Sequence, residues 1–192
     1  HGMNYHINFR PKMKMRMESM IPENSIDKRY VVIDIETNGL LDDVTKIFCI
    51  VCKNLSTKVI TTYKGEECYT KFKPDPDTIF IGHNVLSYDL LVLSKILKYK
   101  RRASQRIDTL ILSQLFNPIR EGGNSLASWG ERLNFPKFPA PSFAYYTDDL
   151  LEYCINDVKL TEKVFNHLIE NEKKQFSLDS INSEHLFRYY ID

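Results

Sequence analysis

Residues 30–37 read Y-V-V-I-D-I-E-T. From Tyr30 to Ile35 the chain is rich in β-branched residues and broken only by Asp34, the composition of a buried strand. An acid inside such a run loses its water, at a cost of several kcal/mol unless it is paired or bound to a cation. Side chains alternate along a strand, so Asp34 and Glu36 leave the same face and repel unless positive charge sits between them. Alone, D-x-E also suits a strand end carrying two solvated acids.

Two further segments change that weighing. Thr78 to Ile81 form a short apolar strand, Gly82-His83-Asn84 a turn, and Leu86 to Leu97 place apolar residues at helical spacing. Asp89 therefore falls early in a helix that follows a strand, where the helix dipole favours an acid. The third segment, from about Asp148 to about Lys174, carries Leu150, Leu151, Cys154, Val158, Val164 and Leu168 as a buried stripe. Tyr153 and Asp157 are four residues apart and share a helix face beside it.

The set D-I-E-T-x-x-L (Asp34 to Leu40), N-x-x-x-Y-D (Asn84 to Asp89) and Y-x-x-x-D (Tyr153 to Asp157) resembles the three motifs of the DEDDy 3'–5' exonucleases. VTKIFC, GHNVLSYDLLVL, IDTLILSQL, SLASWGERLN and DLLEYCINDVKLTEKVFNHL look more closely like the proofreading domain of phage-type family-A DNA polymerases. The likeness runs from Tyr30 to Leu168. It implies an α/β fold, a ribonuclease-H-like mixed sheet flanked by helices.

The resemblance also implies a chemistry. Asp34, Glu36, Asp89 and Asp157 would hold two Mg2+ or Mn2+ ions, which suit oxygen-only ligands. Asp34 would bridge both metals, Glu36 and Asp157 would complete the water-activating site, and Asp89 would hold the second metal chiefly through water. Tyr153 would orient the attacking water; its ordinary pKa, near 10, makes it a poor base. Thr37, Leu40, Asn84 and Tyr88 would contact the terminal nucleotides: Thr37 and Asn84 by hydrogen bonds, Leu40 by wedging against bases, Tyr88 by packing. The implied substrates are single-stranded DNA or frayed 3' ends, trimmed to nucleoside 5'-monophosphates in replication proofreading, with a DNA polymerase as partner in cis or in trans.

Length and composition agree with this. The 192 residues, 43% hydrophobic and 27% charged, suit one soluble domain with a sizeable core. No apolar stretch approaches the roughly 18 residues that span a bilayer. The opening is polar and basic, unlike a secretory leader; taken with the resemblance, this makes a cytoplasmic setting in a bacterial or phage-infected cell the expectation. His1 and Gly2 ahead of Met3 read as a cloning remnant. Cys49 and Cys52 have the C-x-x-C spacing of a zinc pair but sit inside an apolar strand, while Cys68 and Cys154 are far apart and isolated, so buried reduced thiols are expected.

Net charge is only +1, with local basic clusters at Lys95, Lys98, Lys100, Arg101, Arg102 and Arg106 and on an arm carrying Arg10, Lys12, Lys14 and Arg16. Such clusters can neutralise phosphates; for the arm a flexible solvated tail is the plainer reading. The expected organisation is an arm over 1–28, the exonuclease domain over 29–175 and an extension over 176–192. Strands are expected at Tyr30–Ile35, Lys46–Lys53 and Lys58–Tyr63 as an antiparallel meander, then a short helix at Glu66–Phe72. The Thr78–Ile81 strand, a helix at Leu86–Lys98 and a strand at Arg106–Asp108 follow, then helices at Thr109–Phe116 and Ser125–Leu133. Phe135 to Tyr146, with Pro136, Pro139 and Pro141, cannot be regular helix or inner strand and is expected as an irregular loop near the cleft.

Two other readings stand beside this one. The same motifs occur in RNase D-like exoribonucleases. A non-catalytic nucleic-acid or polymerase docking module would share the fold, but such relatives tend to lose metal-ligating acids, and all four are present here. A polymerase fragment would continue beyond Asp192, whereas a free-standing exonuclease would stop near it.

Overall fold

The computed structural model describes residues 30–99 and 105–172 of the chain. The expected arm and C-terminal extension, and Lys100, Arg101 and Arg102 of the basic cluster, lie outside the described residues. Five strands, β1 (Tyr30–Thr37), β2 (Ile47–Asn54), β3 (Ile60–Lys64), β4 (Ile79–Gly82) and β5 (Arg106–Asp108), form one sheet in the order β3-β2-β1-β4-β5. The first three pair antiparallel as a meander; β4 joins β1, and β5 joins β4, in parallel. This is the mixed sheet expected. Helices α1 (Glu67–Thr70), α2 (Asp89–Leu97), α3 (Thr109–Phe116), α4 (Leu126–Arg132) and α5 (Asp148–His167) flank it.

Alternation along β1 divides the core. Ile33 and Ile35 pack with Ile50, Phe80 and Leu90, Val92 and Leu93 of α2 on one face. Tyr30 and Val32 pack with Cys49, Val51, Ile81 and Cys154, Val158 and Phe165 of α5 on the other. Asp34 and Glu36 share the parity of Val32 and so turn toward α5, the outcome a period of two demands. Outside α5, Trp129 of α4 packs on Leu160, Val164 and Leu168. Among the described residues no helix is long and apolar enough to cross a membrane.

The junction after β4 is tightly braced. A side-chain carbon at Gly82 would approach Val85 Cβ to 2.6 Å, so the chain can fold back there only with glycine. The buried Asp108 carboxylate accepts from Asn84 N at 3.0 Å and Leu86 N at 3.1 Å, and also caps α3 through Leu110 N at 2.9 Å. Because that acid claims these amides, and Asn84 adopts a left-handed φ of 64°, α2 begins at Asp89 rather than at Leu86 as expected. Asp108→Ala strands these buried donors and is expected to cost about 2–4 kcal/mol of unfolding free energy. Urea denaturation measures this; an unchanged midpoint would contradict it.

Other boundaries shift for local reasons. β3 starts at Ile60 because Lys58 sits in the preceding turn at φ 63°. The last helix ends at His167 rather than near Lys174, and continues as a π-helical turn, Leu168–Glu172, where Arg120 Nη1 donates to Glu172 Oε1 at 2.7 Å.

Candidate active site

Four carboxyls converge where β1, the start of α2 and the middle of α5 meet. β1 pairs with β4 as far as Val32 opposite Ile81, and beyond that point its β4-side edge opens. Into the opening comes Asp89, whose Oδ1 accepts from Ile35 N at 3.2 Å. Asp89 is thus fixed to the strand that carries Asp34 and Glu36. Opposite, α5 is capped by Thr147, whose hydroxyl accepts from Leu150 N at 3.1 Å, and it runs for 20 residues. Its pitch puts Tyr153, Cys154 and Asp157 together over the end of β1.

The electrostatics are those of an acid cluster short of positive charge. Burial and then the neighbouring Asp157 push Asp34 up to about 7. Burial and then Asp34 push Glu36 up to about 10. Asp89 is raised well above the ordinary carboxyl range by burial and by Asp34, and burial raises Asp157 despite the opposing pull of Lys137. Burial also holds the Tyr153 phenol above its ordinary value, so it stays protonated at neutral pH.

Two residues at the site escaped the sequence reading. Cys154, read as isolated, places its thiol on Asp34: Sγ donates to Oδ2 at 3.2 Å. Burial raises that thiol well above its ordinary value, so it acts as a proton donor rather than a soft thiolate ligand. Its position three residues before Asp157 on a helix was the available clue. Lys137, from the proline-rich loop, donates to Asp157 Oδ2 at 2.6 Å and lies 4.8 Å from the centre of the Tyr153 ring. Phe143 of the same loop meets Tyr153 edge-on at 6.0 Å, so the loop does border the cleft. Cys49 and Cys52 belong to clusters on opposite faces of the sheet and cannot share an ion.

Asp34 Oδ, Glu36 Oε and Cys154 Sγ all lie within 4.8 Å of one another. Asp157 Oδ1 is buried without a hydrogen-bond partner among the described residues. An orphaned carboxylate oxygen beside oxygen donors, with the one thiol protonated, fits a hard divalent cation such as Mg2+ or Mn2+.

Of the four residues expected at the terminal nucleotides, Thr37 and Tyr88 are brought into contact. Tyr88 Oη donates to Gly39 O at 2.6 Å and can accept from the Thr37 hydroxyl, whose alternative acceptor is the same carbonyl at 3.0 Å. Leu40 is 77% exposed, yet its loop is held firmly: Lys95 Nζ donates to Leu41 O and Asp42 O, each at 2.8 Å. Lys95 thus braces main-chain carbonyls, and Lys98 Nζ likewise donates to Lys95 O at 2.9 Å. Asn84 is exposed at the tip of the β4–α2 turn.

No protein-family model matches the chain. In three dimensions the chain superposes on Brucella melitensis NrnC bound to pGG with a TM-score of 0.60 at 19% identity, covering 81% of this chain and 79% of that one. Brucella melitensis NrnC with bound Mg2+ gives 0.61 at 18%, over 83% and 82%. Escherichia coli RNase D, described as an exoribonuclease involved in structured RNA processing, gives 0.57 at 16%, over 97% of this chain and 50% of that one. The fold is therefore the ribonuclease-H-like fold of these nucleases, as the motifs implied. In sequence, the DNA-directed DNA polymerase of Escherichia phage T7 is 24% identical over 188 residues, 74% of this chain and 27% of the polymerase. The chain thus spans only 27% of the length of the curated relative it matches.

Proposed function

We propose that this chain is a divalent-metal-dependent 3'–5' exonuclease that releases nucleoside 5'-monophosphates from single-stranded or frayed DNA ends, in the service of replication proofreading. The observation that carries the proposal is the convergence of Asp34, Glu36, Asp89 and Asp157 around an unpartnered carboxylate oxygen, with the Tyr153 hydroxyl beside them. Two Mg2+ or Mn2+ ions held by these acids would neutralise the phosphate and lower the pKa of the attacking water. Tyr153 stays protonated and so orients that water by hydrogen bonding rather than by taking its proton. Leu40, held outward on its braced loop, would wedge against the terminal bases, while the Thr37–Tyr88 pair and Asn84 frame the last nucleotides. Stacking and backbone contacts of this kind tolerate any base.

Drawing a paired end into such a site costs roughly 1–2 kcal/mol per unstacked step, which favours mismatched ends without reading the wrong base. The likeness to the T7 polymerase supports DNA as substrate and a polymerase partner in cis or in trans. A cytoplasmic setting completes the proposal, in keeping with four free cysteines. A second reading, trimming of short RNA, draws support from NrnC bound to pGG and from RNase D, which share the fold. Four retained acids speak against a purely docking role.

Matched 5'-labelled DNA and RNA single strands, incubated with the protein and Mn2+, test the proposal. DNA should shorten stepwise at least as fast as RNA. A rate on RNA far above that on DNA would replace the first reading with the second. Tyr153→Phe keeps the ring but loses the hydroxyl, and its rate should fall by about tenfold to a hundredfold; a parental rate would remove Tyr153 from the reaction.

A further inference from the structure

The three motifs contain no cation, yet a lysine reaches their centre from a loop without regular structure. Two contacts fix that loop just before it. In α4, a side-chain carbon at Gly130 would come within 2.9 Å of Phe135 O and 3.2 Å of Pro136 Cα, so only glycine lets the backbone lie this close. From α5, Asn156 Nδ2 donates to Pro136 O at 3.2 Å. The next residue is Lys137. Its ammonium occupies Asp157 Oδ2 at 2.6 Å and sits 4.8 Å from the Tyr153 ring centre, touching two of the residues assigned to the reaction.

We propose that Lys137 is a positioning residue of this site, holding Asp157 by one oxygen so that Oδ1 stays available to a cation, and fixing the Tyr153 ring beside it. The inference rests on the nuclease reading above. One contact alone would be a charge pair of little consequence. The second contact, to the ring whose hydroxyl must point at the water, gives the lysine an orienting task. An ammonium is suited to both: it donates to a carboxylate and is attracted to the face of an aromatic ring. A competing account makes Lys137 only a counter-charge that quiets repulsion among the acids, or a part of the cation site itself.

The intact chain, Lys137→Gln, Lys137→Arg and Asp157→Asn separate these accounts through Mn2+ binding by calorimetry and turnover on a 5'-labelled DNA strand. A positioning role predicts that Lys137→Gln binds Mn2+ no more than about threefold more weakly than the parent, because losing a nearby positive charge does not weaken attraction for a cation. It also predicts a kcat lowered by about tenfold to a hundredfold at saturating Mn2+, with KM within about threefold, as for residues that orient metal ligands. Lys137→Arg should recover most of that kcat, and Asp157→Asn should lose Mn2+ affinity. A Lys137→Gln kcat within about threefold of the parent, Mn2+ binding weakened as much as in Asp157→Asn, or no recovery in Lys137→Arg would overturn the inference. A parent that binds Mn2+ but hydrolyses no strand would defeat the nuclease reading alone. In that case Mn2+ binding by Lys137→Gln weakened as much as in Asp157→Asn would still overturn the inference, by making the lysine part of the cation site.

Discussion

Asp34→Ala is expected to slow hydrolysis by about a thousandfold or more while the protein stays folded. Asp34 lies beside Glu36, two residues along the same strand, and Asp157 on α5, and under the proposed function it is one of the acids that would hold the ions. Losing several kcal/mol of transition-state charge stabilisation corresponds to about three orders of magnitude in rate. The same substitution should raise the melting temperature of the metal-free protein. Burial and Asp157 already push Asp34 up to about 7, and Asp34 in turn helps push up Glu36 and Asp89. Removing it relieves that repulsion. Turnover and thermal unfolding in EDTA check the two halves; near-parental activity would show that this strand does not carry the chemistry.

The second large effect concerns metal and pH together. Chelation by EDTA should stop turnover, and Mg2+ or Mn2+ should restore it. In the metal-free protein, Asp34 is held at about 7 and Glu36 at about 10, against 3.8 and 4.5 for the free groups. With folded values above unfolded ones, the folded state binds more protons between them. Their contribution to stability is present below about pH 4 and is lost as pH climbs through 7 and on toward 10. The melting temperature in EDTA should therefore fall as pH rises from 5 to 8. Mg2+ should raise it much more at pH 8 than at pH 5, because the cation replaces protons on the acids. A melting temperature that rises with pH in EDTA would contradict this account of the cluster.

Much of the fold was legible because it follows from periodicity. The β-branched run before Thr37 could only be an inner strand, and alternation then fixed Asp34 and Glu36 on one face. The turn at Gly82 and the apolar spacing after it announced a short strand and a helix, while the parallel pairing of that strand with β1 appears only in three dimensions. The parts that were not legible depend on long-range docking. Lys137 stands between Pro136 and Phe138 with no pattern to mark it, and its place follows from the contacts of its loop with Gly130 and Asn156. Cys154 looked like one more core residue because its role depends on Asp34, 120 positions away in sequence. Asp108 was within reach: an acid directly before an apolar helical run is the mark of a helix cap. Its hold on Asn84 and Leu86, which moved the start of α2, appears only in three dimensions.

The measurement that bears most directly on the central claim is product analysis on three matched substrates in Mg2+: a linear single strand, the same strand with a 3' phosphate, and its closed circle. The linear strand should yield nucleoside 5'-monophosphates from its 3' end, with the blocked strand resistant, the circle intact, and all release lost in Asp34→Ala. Rapid cutting of the circle, or release unaffected by Asp34→Ala, would contradict the account.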